Sequence, residues 1–170
     1  GWMAAMASDP ELVGEHNWGG DPRDPVEVER LLRIQLETGV LQGRYNGMLV
    51  VEHPDTTPIG DVSWRPVQWG PSVKSRCPAF GIALKPEFRG QGFGTAAQRL
   101  LVDFLFERDP ELHRIQSDTA VDNVAEKRSL RKIGMTEEGT VRDAEFRGGR
   151  FHDHLLFSIL RTDWQPTESR

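Results

Sequence analysis

Three glycines stand within five residues of "EFRGQGFGTA", at positions 90, 92 and 94. A short apolar segment typical of a strand precedes them, and a helix-like pattern follows. Glycine loses more conformational entropy on folding than other residues, so such a cluster indicates a sharp turn or a ligand close to the backbone. At a helix N-terminus, free N–H groups and the helix dipole both favour an anion. The segment therefore predicts either an anion site or a tight turn without a ligand.

Spacing separates the phosphate-binding motifs that use such a loop. A P-loop requires Lys followed by Ser or Thr after its last glycine, whereas Gly94 is followed by Thr95 and Ala96. A dinucleotide fingerprint that begins at Gly90 requires a glycine at position 95, where this chain has Thr. A third pattern, Arg/Gln-x-x-Gly-x-Gly/Ala, is met in full by residues 89–94.

Two histidines and one cysteine offer weaker candidates for chemistry. "FHDH" places His152 and His154 on one face of a strand, a spacing that could ligate a metal. Zinc sites use three or four ligands and no third is evident, so we predict no metal and interpret both histidines as solvent-facing. Cys77 is the single cysteine, and no histidine stands beside it in the sequence. We interpret it as structural.

Composition excludes several classes of protein. The chain has 170 residues, of which 37% are hydrophobic, enough for one compact domain over residues 1–170. No apolar run approaches the ~20 residues that span a bilayer. One cysteine excludes an internal disulfide and fits a reducing cytoplasm. The net charge of −5, with both signs interspersed, argues against a nucleic-acid partner. We therefore predict a cytoplasmic domain with no nucleic-acid or membrane partner.

Periodicity and turn residues predict a mixed α+β domain with the glycine loop near its middle. The predicted order is a first helix, a hairpin, a strand, two helices separated by a strand, and a closing hairpin. The predicted ranges are a helix at 24–38, strands at 47–53, 59–67 and 79–84, a helix at 95–109, a strand at 114–121, a helix at 123–134 and a hairpin at 140–160. The second helix shows an apolar stripe of Ala97, Leu100, Leu101, Phe104 and Leu105.

These segments in this order resemble the GNAT acetyltransferase superfamily, in the branch that acetylates ribosomal-protein N-termini. The resemblance covers most of residues 7–164 and is carried by "FGIALKPEFRGQGFGTAA", "HRIQSDTAVDN", "KRSLRKIGMTEEGTVRD" and "GGRFHDHLLFSILRTDW". It implies a GNAT fold, a single splayed and mostly antiparallel sheet flanked by helices. The family has a strand before its first helix, which we expect to be missing or shortened here. An incomplete sheet edge is a reason to expect a homodimer.

The resemblance implies acetyl-CoA as the acetyl donor and an amine as the acceptor. The loop amides would hold the pyrophosphate, and the Ile82 N–H would face the thioester carbonyl. Asn123 would contact the cofactor arm, although "NVAE" is also a helix capping box for Asn123 and Glu126; for Glu126 we favour the cap. The expected cofactor-binding residues are Ile82, Ala83, Leu84, Arg89, Gly90, Gln91, Gly92, Phe93, Gly94, Thr95 and Asn123.

Three family positions for catalytic groups carry other residues here. The usual Glu, four residues before Ile82, is Pro78. The usual Tyr, seven residues after Asn123, is Leu130, and the Ser common in this branch is Glu126.

The remaining candidates for acid or base are Glu145, Asp118, Ser129 and Asp61, with Glu145 expected to act as the base, directly or through water. Trp18, Trp64 and Trp69 could line an acceptor cleft or pack in the core. The resemblance favours a protein N-terminus or a small antibiotic-like amine as the acceptor, with polyamines and amino acids also open. Two other interpretations stay open: an acyl-CoA-binding module without catalysis, and a nucleotide-binding protein that uses the same loop.

Overall fold

The computed structural model describes residues 10–14, 16, 24, 26, 30 and 43–167. In this part of the chain the elements, in order, are α1 (Pro10–Val13), β1 (Gly47–Glu52), β2 (Pro58–Gln68), β3 (Arg76–Leu84), α2 (Phe93–Arg108), β4 (Arg114–Ala120), α3 (Val124–Lys132), β5 (Thr136–Arg147) and β6 (Arg150–Leu160). The predicted α+β class is confirmed. The helix predicted at 24–38 and the family's first strand fall almost wholly outside the described residues.

Six strands form one sheet in the order β1-β2-β3-β4-β6-β5. Both predicted hairpins are present, since β1 pairs with β2 and β5 with β6, each antiparallel. β4 pairs antiparallel with β6, and the pairing of β3 with β4 is parallel. The sheet is therefore mostly antiparallel, with its parallel pair at the centre.

The central pair is splayed. β3 pairs with β2 along its whole length, from Gln68↔Arg76 to Gly60↔Leu84. Its pairing with β4 is confined to Ala79↔Gln116 and Phe80↔Ser117. Beyond that point the two strands diverge, and Gly81–Leu84 have no strand partner on the β4 side. We call the space between Gly81–Leu84 and Asp118–Ala120 the β3–β4 gap.

α2 and α3 cover one face of the sheet and form the core with it. Core residues of the strands and of both helices are Val62, Trp64, Phe80, Ile115 and Phe157 from the sheet, with Leu101, Leu105, Phe106, Leu130 and Ile133 from the helices. The opposite face carries Asp61, Arg65, Asp118 and His154, as strand alternation requires. We call it the polar face.

The apolar stripe predicted for α2 is correct at Leu101 and Leu105, which are buried, and wrong at Leu100 and Phe104. Leu100 is 63% exposed and Phe104 is 37% exposed. The buried side chains of α2 are Gln98, Leu101, Val102, Asp103, Leu105 and Phe106. The buried face of α2 includes the polar residue Gln98, because the Gln98 side chain forms hydrogen bonds with Glu126 and Ser129.

α3 ends in the glycine cap that its sequence predicts. Gly134 has a φ of 89°, the left-handed conformation that glycine adopts without strain. The Gly134 N–H donates to the Arg131 carbonyl and the Met135 N–H to the Leu130 carbonyl, each at 3.1 Å. This pair of bonds is a Schellman motif, which turns the chain from α3 into β5.

Candidate functional site

Backbone conformation requires glycine at two of the three loop positions. Gly90 has a φ of 72° and Gly92 a φ of 92°, and a Cβ at either position would touch nothing within 4 Å. Backbone conformation, rather than space, requires glycine at these two positions. A Cβ at Gly94 would lie 3.4 Å from Leu84 Cδ1 and 3.7 Å from Ile82 Cδ1. Both are ordinary van der Waals distances, so neither packing nor a positive φ requires glycine at position 94.

The N-terminus of α2 is uncapped and opens into a cleft. Gly92 is the N-cap residue, and in the described part of the chain no side chain caps the first-turn N–H groups. These groups have no acceptor within the helix. Gly90, Gly92, Gly94 and Thr95 line a cleft of about 510 Å³. The positive end of the helix dipole lies at the same place, so the mouth of this cleft favours an anion.

The walls of the cleft come from both sides of the β3–β4 gap. Ile82 and Leu84 stand on one side, and residues 117–120 on the other. α3 adds Asn123, Ala125, Glu126, Arg128, Ser129 and Lys132. The cleft thus runs from the glycine loop into the gap, where it reaches His154 on β6.

Main-chain groups of β3 point into this gap. The Phe80 carbonyl faces β4, because it accepts from the Ser117 hydroxyl at 3.0 Å. The Lys85 N–H faces β2, because it donates to the Ile59 carbonyl at 2.9 Å. Main-chain groups alternate sides along a strand, so the N–H and carbonyl of Ile82 point into the gap.

Most of the predicted site residues line this one cleft. They are Ile82, Leu84, Arg89, Gly90, Gly92, Gly94, Thr95, Asp118, Asn123 and Ser129. Ala83 does not, because it alternates to the polar face opposite Asp61. The Gln91 amide donates to the Glu87 carbonyl at 2.6 Å. Glu145 also lies outside the lining, although it contacts His154, which belongs to it.

Phe93 packs outside the cleft. Its ring lies 5.4 Å from the His53 ring and 6.2 Å from the Phe88 ring, measured between centroids. This small aromatic cluster sits at the first residue of α2, so the Phe93 side chain anchors the helix start and only its main chain belongs to the loop.

Arg89 forms hydrogen bonds with the backbone of two elements near the loop, β3 and α1. Its Nε donates to the Leu84 carbonyl at 2.8 Å, and its Nη2 donates to the Leu12 carbonyl of α1 at 2.5 Å. These bonds tie the end of β3 to α1. Arg89 still adds positive charge to the cleft it lines.

Asn123 caps α3, and the predicted cap role of Glu126 is wrong. Asn123 Oδ1 accepts from the Glu126 N–H at 3.2 Å. The Glu126 carboxylate, however, accepts from Gln98 Nε2 at 2.6 Å instead of reaching back to the Asn123 N–H. Burial raises the pKa of Glu126, and the hydrogen bond from Gln98 opposes that rise.

Ser129 belongs to the same polar network between α2 and α3. Its hydroxyl donates to Gln98 Oε1 at 2.7 Å and lies 2.9 Å from Thr95 Oγ1. Ser129 and Thr95 therefore join the first turn of α2 to the middle of α3, on the loop side of the cleft.

Three polar side chains from neighbouring strands meet on the polar face. His154 Nδ1 lies 2.8 Å from Asp118 Oδ2, and His154 Nε2 lies 3.2 Å from Glu145 Oε2. Arg65 approaches Asp118 at 3.4 Å, and Arg147 approaches Glu145 at 3.1 Å. The structure thus brings the predicted Asp118 and Glu145 together through His154.

The interpretation of His154 as a solvent-facing residue is wrong. Its side chain is 16% exposed and both ring nitrogens have a carboxylate partner. Strand alternation along β6 gave its face correctly, but the sequence does not show the register that brings β4 and β5 beside it. Within the described ranges, no three His, Cys, Asp or Glu side chains are grouped to hold a metal ion.

Other candidates fall outside the cleft. Asp61 lies opposite Ala83, and burial raises its pKa to about 6. Trp64 is in the core, and Trp69 lines a separate cavity of about 370 Å³ with Cys77. Burial raises the pKa of the Cys77 thiol, as expected for a structural cysteine. Trp18 lies outside the described residues.

Of the three family positions for catalytic groups, two carry no polar side chain here, and the third, Glu126, is hydrogen-bonded to Gln98. Pro78 is buried in β3, and Leu130 is fully buried in the core. Any acid or base must therefore come from other positions around the cleft.

Comparison with known proteins decides the family. The family model described as an acetyltransferase (GNAT) domain matches residues 1–136. The chain belongs to the GNAT acetyltransferase family. It is 31% identical over 157 residues to the uncharacterized N-acetyltransferase p20 of Bacillus licheniformis, covering 92% of this chain and 84% of that protein.

A second relative matches over a shorter segment. The putative ribosomal N-acetyltransferase YdaF of Bacillus subtilis (strain 168) is 36% identical over 85 residues, which is 50% of this GNAT chain and 46% of the relative. The alignments with three curated Bacillus subtilis relatives each span about half the length of the relative.

A solved structure confirms the predicted GNAT fold. The spermidine N-acetyltransferase from Vibrio cholerae, in complex with CoA and spermine, superposes with a TM-score of 0.76 at 22% identity. The match covers 95% of this chain and 89% of that one. In the described part of this GNAT chain, no helix combines the length and apolar character needed to cross a membrane.

Proposed function

We propose that this GNAT domain is an acetyl-CoA-dependent N-acetyltransferase that moves an acetyl group to a primary amine by direct attack on the thioester. One observation carries the proposal: an uncapped, glycine-rich helix N-terminus opens into the gap between two strands that stop pairing at Phe80 and Ser117. An anion site joined to an unpaired strand edge suits a ligand with a pyrophosphate and an extended amide-bearing arm.

The residues of the cleft fit the parts of acetyl-CoA. The N–H groups of the first turn of α2, with the loop amides from Gly90 to Thr95, would hold the pyrophosphate. The pantetheine arm would pair with Gly81–Leu84 as an added strand. The Ile82 N–H, which points into the gap, would donate to the thioester carbonyl oxygen as negative charge develops there. Asn123 would contact the arm while it caps α3.

Charge around the cleft supports the same orientation. Arg128 and Lys132, one turn apart on α3, line the cleft together with Arg89. Three cations near the loop complement the phosphates. Ser129 would lie near the loop end of the cleft, whereas Asp118 lies by the gap.

The acceptor would reach the thioester from the polar face. The carboxylates of Asp118 and Glu145, which the sequence predicts as acid–base candidates, lie there on either side of His154. Carboxylates favour a cationic amine, and the names of relatives point to ribosomal-protein N-termini and spermidine as acceptors in the family. We propose a protein N-terminus or a small polyamine as the acceptor. Cytoplasmic location and a homodimer stay predictions.

The experiment is release of the free CoA thiol from acetyl-CoA with a panel of amines. The panel holds a polyamine, an aminoglycoside, an amino acid and a peptide with a free N-terminus. Turnover above the uncatalysed rate with any of them supports the proposal. Binding of acetyl-CoA without turnover favours the inactive module, which Pro78 and Leu130 at the usual catalytic positions also favour. Tighter binding of ATP than of acetyl-CoA would favour the nucleotide-binding alternative.

A further inference from the structure

We infer that His154 is the general base that takes the proton from the attacking amine, with Asp118 and Glu145 as the residues that position its ring. The inference rests on the proposed acetyl transfer and adds the residue that accepts the proton. It is carried by the place of His154 in the cleft and by the hydrogen-bond capacity of its two ring nitrogens.

His154 stands where the β3–β4 gap meets the polar face. Its side chain lines the same cleft as Gly81 and Ile82. It projects from β6 between β4 and β5, and each neighbour contributes one carboxylate. All three residues are on strands of one sheet, so the ring is held more firmly than a loop residue would be.

The ring cannot satisfy both carboxylates while it is neutral. A neutral imidazole has one N–H and one lone pair. Nδ1 makes the shorter contact, 2.8 Å to Asp118, so the N–H is assigned there. Nε2 then directs a lone pair at Glu145 Oε2, 3.2 Å away. A proton taken up at Nε2 would turn this contact into a hydrogen bond, so the protonated ring satisfies both carboxylates.

Glu145 and Asp118 are already engaged by cations. Glu145 Oε2 also accepts from Arg147 Nε at 3.1 Å, and Asp118 Oδ1 faces Arg65 Nη2 at 3.4 Å. Among the described residues each carboxylate thus has an arginine partner, and no arginine hydrogen-bonds to His154 Nε2. Orientation of a histidine by a carboxylate on its other nitrogen is the arrangement that makes imidazole an effective base.

The step balances without any further reactant. The neutral amine nitrogen attacks the thioester carbon, a C–N bond forms and the C–S bond breaks. The proton leaves the amine nitrogen for His154 Nε2, and the electron pair of the C–S bond leaves with the CoA sulfur as a thiolate. Protonated His154 donates to both carboxylates and later passes its proton to solvent.

The pH dependence of this step involves the whole group around the ring. From β4 and β5 the facing groups are Asp118 and Glu145. Behind them stand Arg65 on β2 and Arg147 on β5, and Arg147 also faces Asp122 at 3.4 Å. On β6 itself, the next side chain on this face is that of His152, which lies against the Arg147 carbonyl. A general base acts only in its unprotonated form, so the inference predicts that turnover falls at low pH.

The test compares His154→Gln with His152→Gln over a range of pH. His154→Gln should lower kcat by about 100-fold or more, the usual contribution of a general base, and should remove the low-pH limb of the rate profile. His152→Gln, a histidine on the same strand and face, should keep the wild-type profile. Asp118→Asn should shift the limb, because it acts through the ring. Imidazole added to His154→Ala should restore part of the rate.

The readouts separate this inference from the function it rests on. Acetyl-CoA must raise the thermal midpoint of His154→Gln as much as that of the wild type, which also reports that the variant folds. If His154→Gln does not fold, the test is the pH–rate profile of the wild type and the shift of that profile in Asp118→Asn. Wild-type turnover with an unchanged His154→Gln profile overturns the role of His154 alone. No wild-type turnover with any amine overturns the proposed function itself.

Discussion

At the scale of single residues, two glycines allow the effect of backbone strain to be measured separately from the effect of ligand contact. Gly92 and Gly149 both adopt left-handed backbone conformations, with φ of 92° and 80°. A Cβ added to either glycine would have no atom within 4 Å. They differ in place, because Gly92 lines the cleft and Gly149 lies in the β5–β6 turn.

Gly92→Ala and Gly149→Ala should therefore have the same effect on stability and different effects on binding. Each should lower the free energy of unfolding by about 1–2 kcal/mol, the cost of a left-handed residue with a Cβ. Urea denaturation measures this. Only Gly92→Ala should also reduce the rise in thermal midpoint with acetyl-CoA, since its Cβ enters the proposed pyrophosphate site. Equal binding by the two variants would contradict that site.

Asp61 should make stability depend on pH. Its folded pKa of about 6 exceeds the ordinary value, so the folded state holds the proton more tightly than the unfolded chain does. The free energy of unfolding should therefore fall as pH rises from about 4 to about 6.

Asp61→Asn removes this dependence, because the amide never carries the charge. At pH 8 the variant should be more stable than the wild type by about 1–3 kcal/mol, and near pH 4 the difference should vanish. Urea denaturation at the two pH values is the measurement. Glu52→Gln, an exposed carboxylate on β1, is the control. A variant that is less stable at pH 8 would show that Asp61 has a charged partner.

Some residues of the candidate site could be predicted from the sequence, and others could not. The glycine loop and Asn123 have local signatures, because spacing and capping act over a few residues. Asp118 and Glu145 could be proposed as acids or bases, but His154 could not be joined to them. That cluster depends on the pairing of β4 with β6 across α3 and on the register shift between Val141 and Glu145 within the β5–β6 hairpin, neither of which a local pattern reveals.

At the scale of elements, the start of α3 tests two roles of one side chain. Asn123→Ala removes the acceptor of the Glu126 N–H and should lower the free energy of unfolding by about 1 kcal/mol. Asn123→Asp keeps a capping oxygen and should restore that stability. It replaces the amide N–H donors with a carboxylate, so it should still weaken acetyl-CoA binding if Asn123 contacts the cofactor arm.

The measurements are urea denaturation for the cap and the acetyl-CoA thermal shift for the cofactor contact. Asn123→Asp with wild-type stability and wild-type binding would leave Asn123 with its cap role alone. A loss of binding without a loss of stability would support both roles.

The elements themselves were largely predictable, and their exposed faces less so. Both hairpins, the strand before the loop and α3 with its glycine cap follow from alternation, helical periodicity and turn residues. The buried face of α2 could not be predicted in the same way, because the periodicity of apolar residues does not indicate a buried polar residue. Gln98 is buried through partners on α3, which are tertiary contacts.

At the scale of the whole molecule, the splay of the sheet is the feature that makes a binding cleft. The GNAT resemblance predicted it, and the register shows where it begins, at Phe80 and Ser117. Residue patterns alone could not locate that point, because it depends on parallel pairing between strands separated by a helix. The Ser117 hydroxyl marks it by bonding the Phe80 carbonyl.

The measurement that tests the central claim most directly is the thermal midpoint with and without acetyl-CoA, with ATP as the control. A ligand at 100 times its Kd adds about 2.7 kcal/mol to the stability of the folded state. For a chain of this length we expect a rise of roughly 5–10 °C with acetyl-CoA and a smaller one with ATP. No rise, or a rise with ATP alone, would contradict the acetyl-CoA cleft and leave the glycines as a turn or as the site of another phosphate.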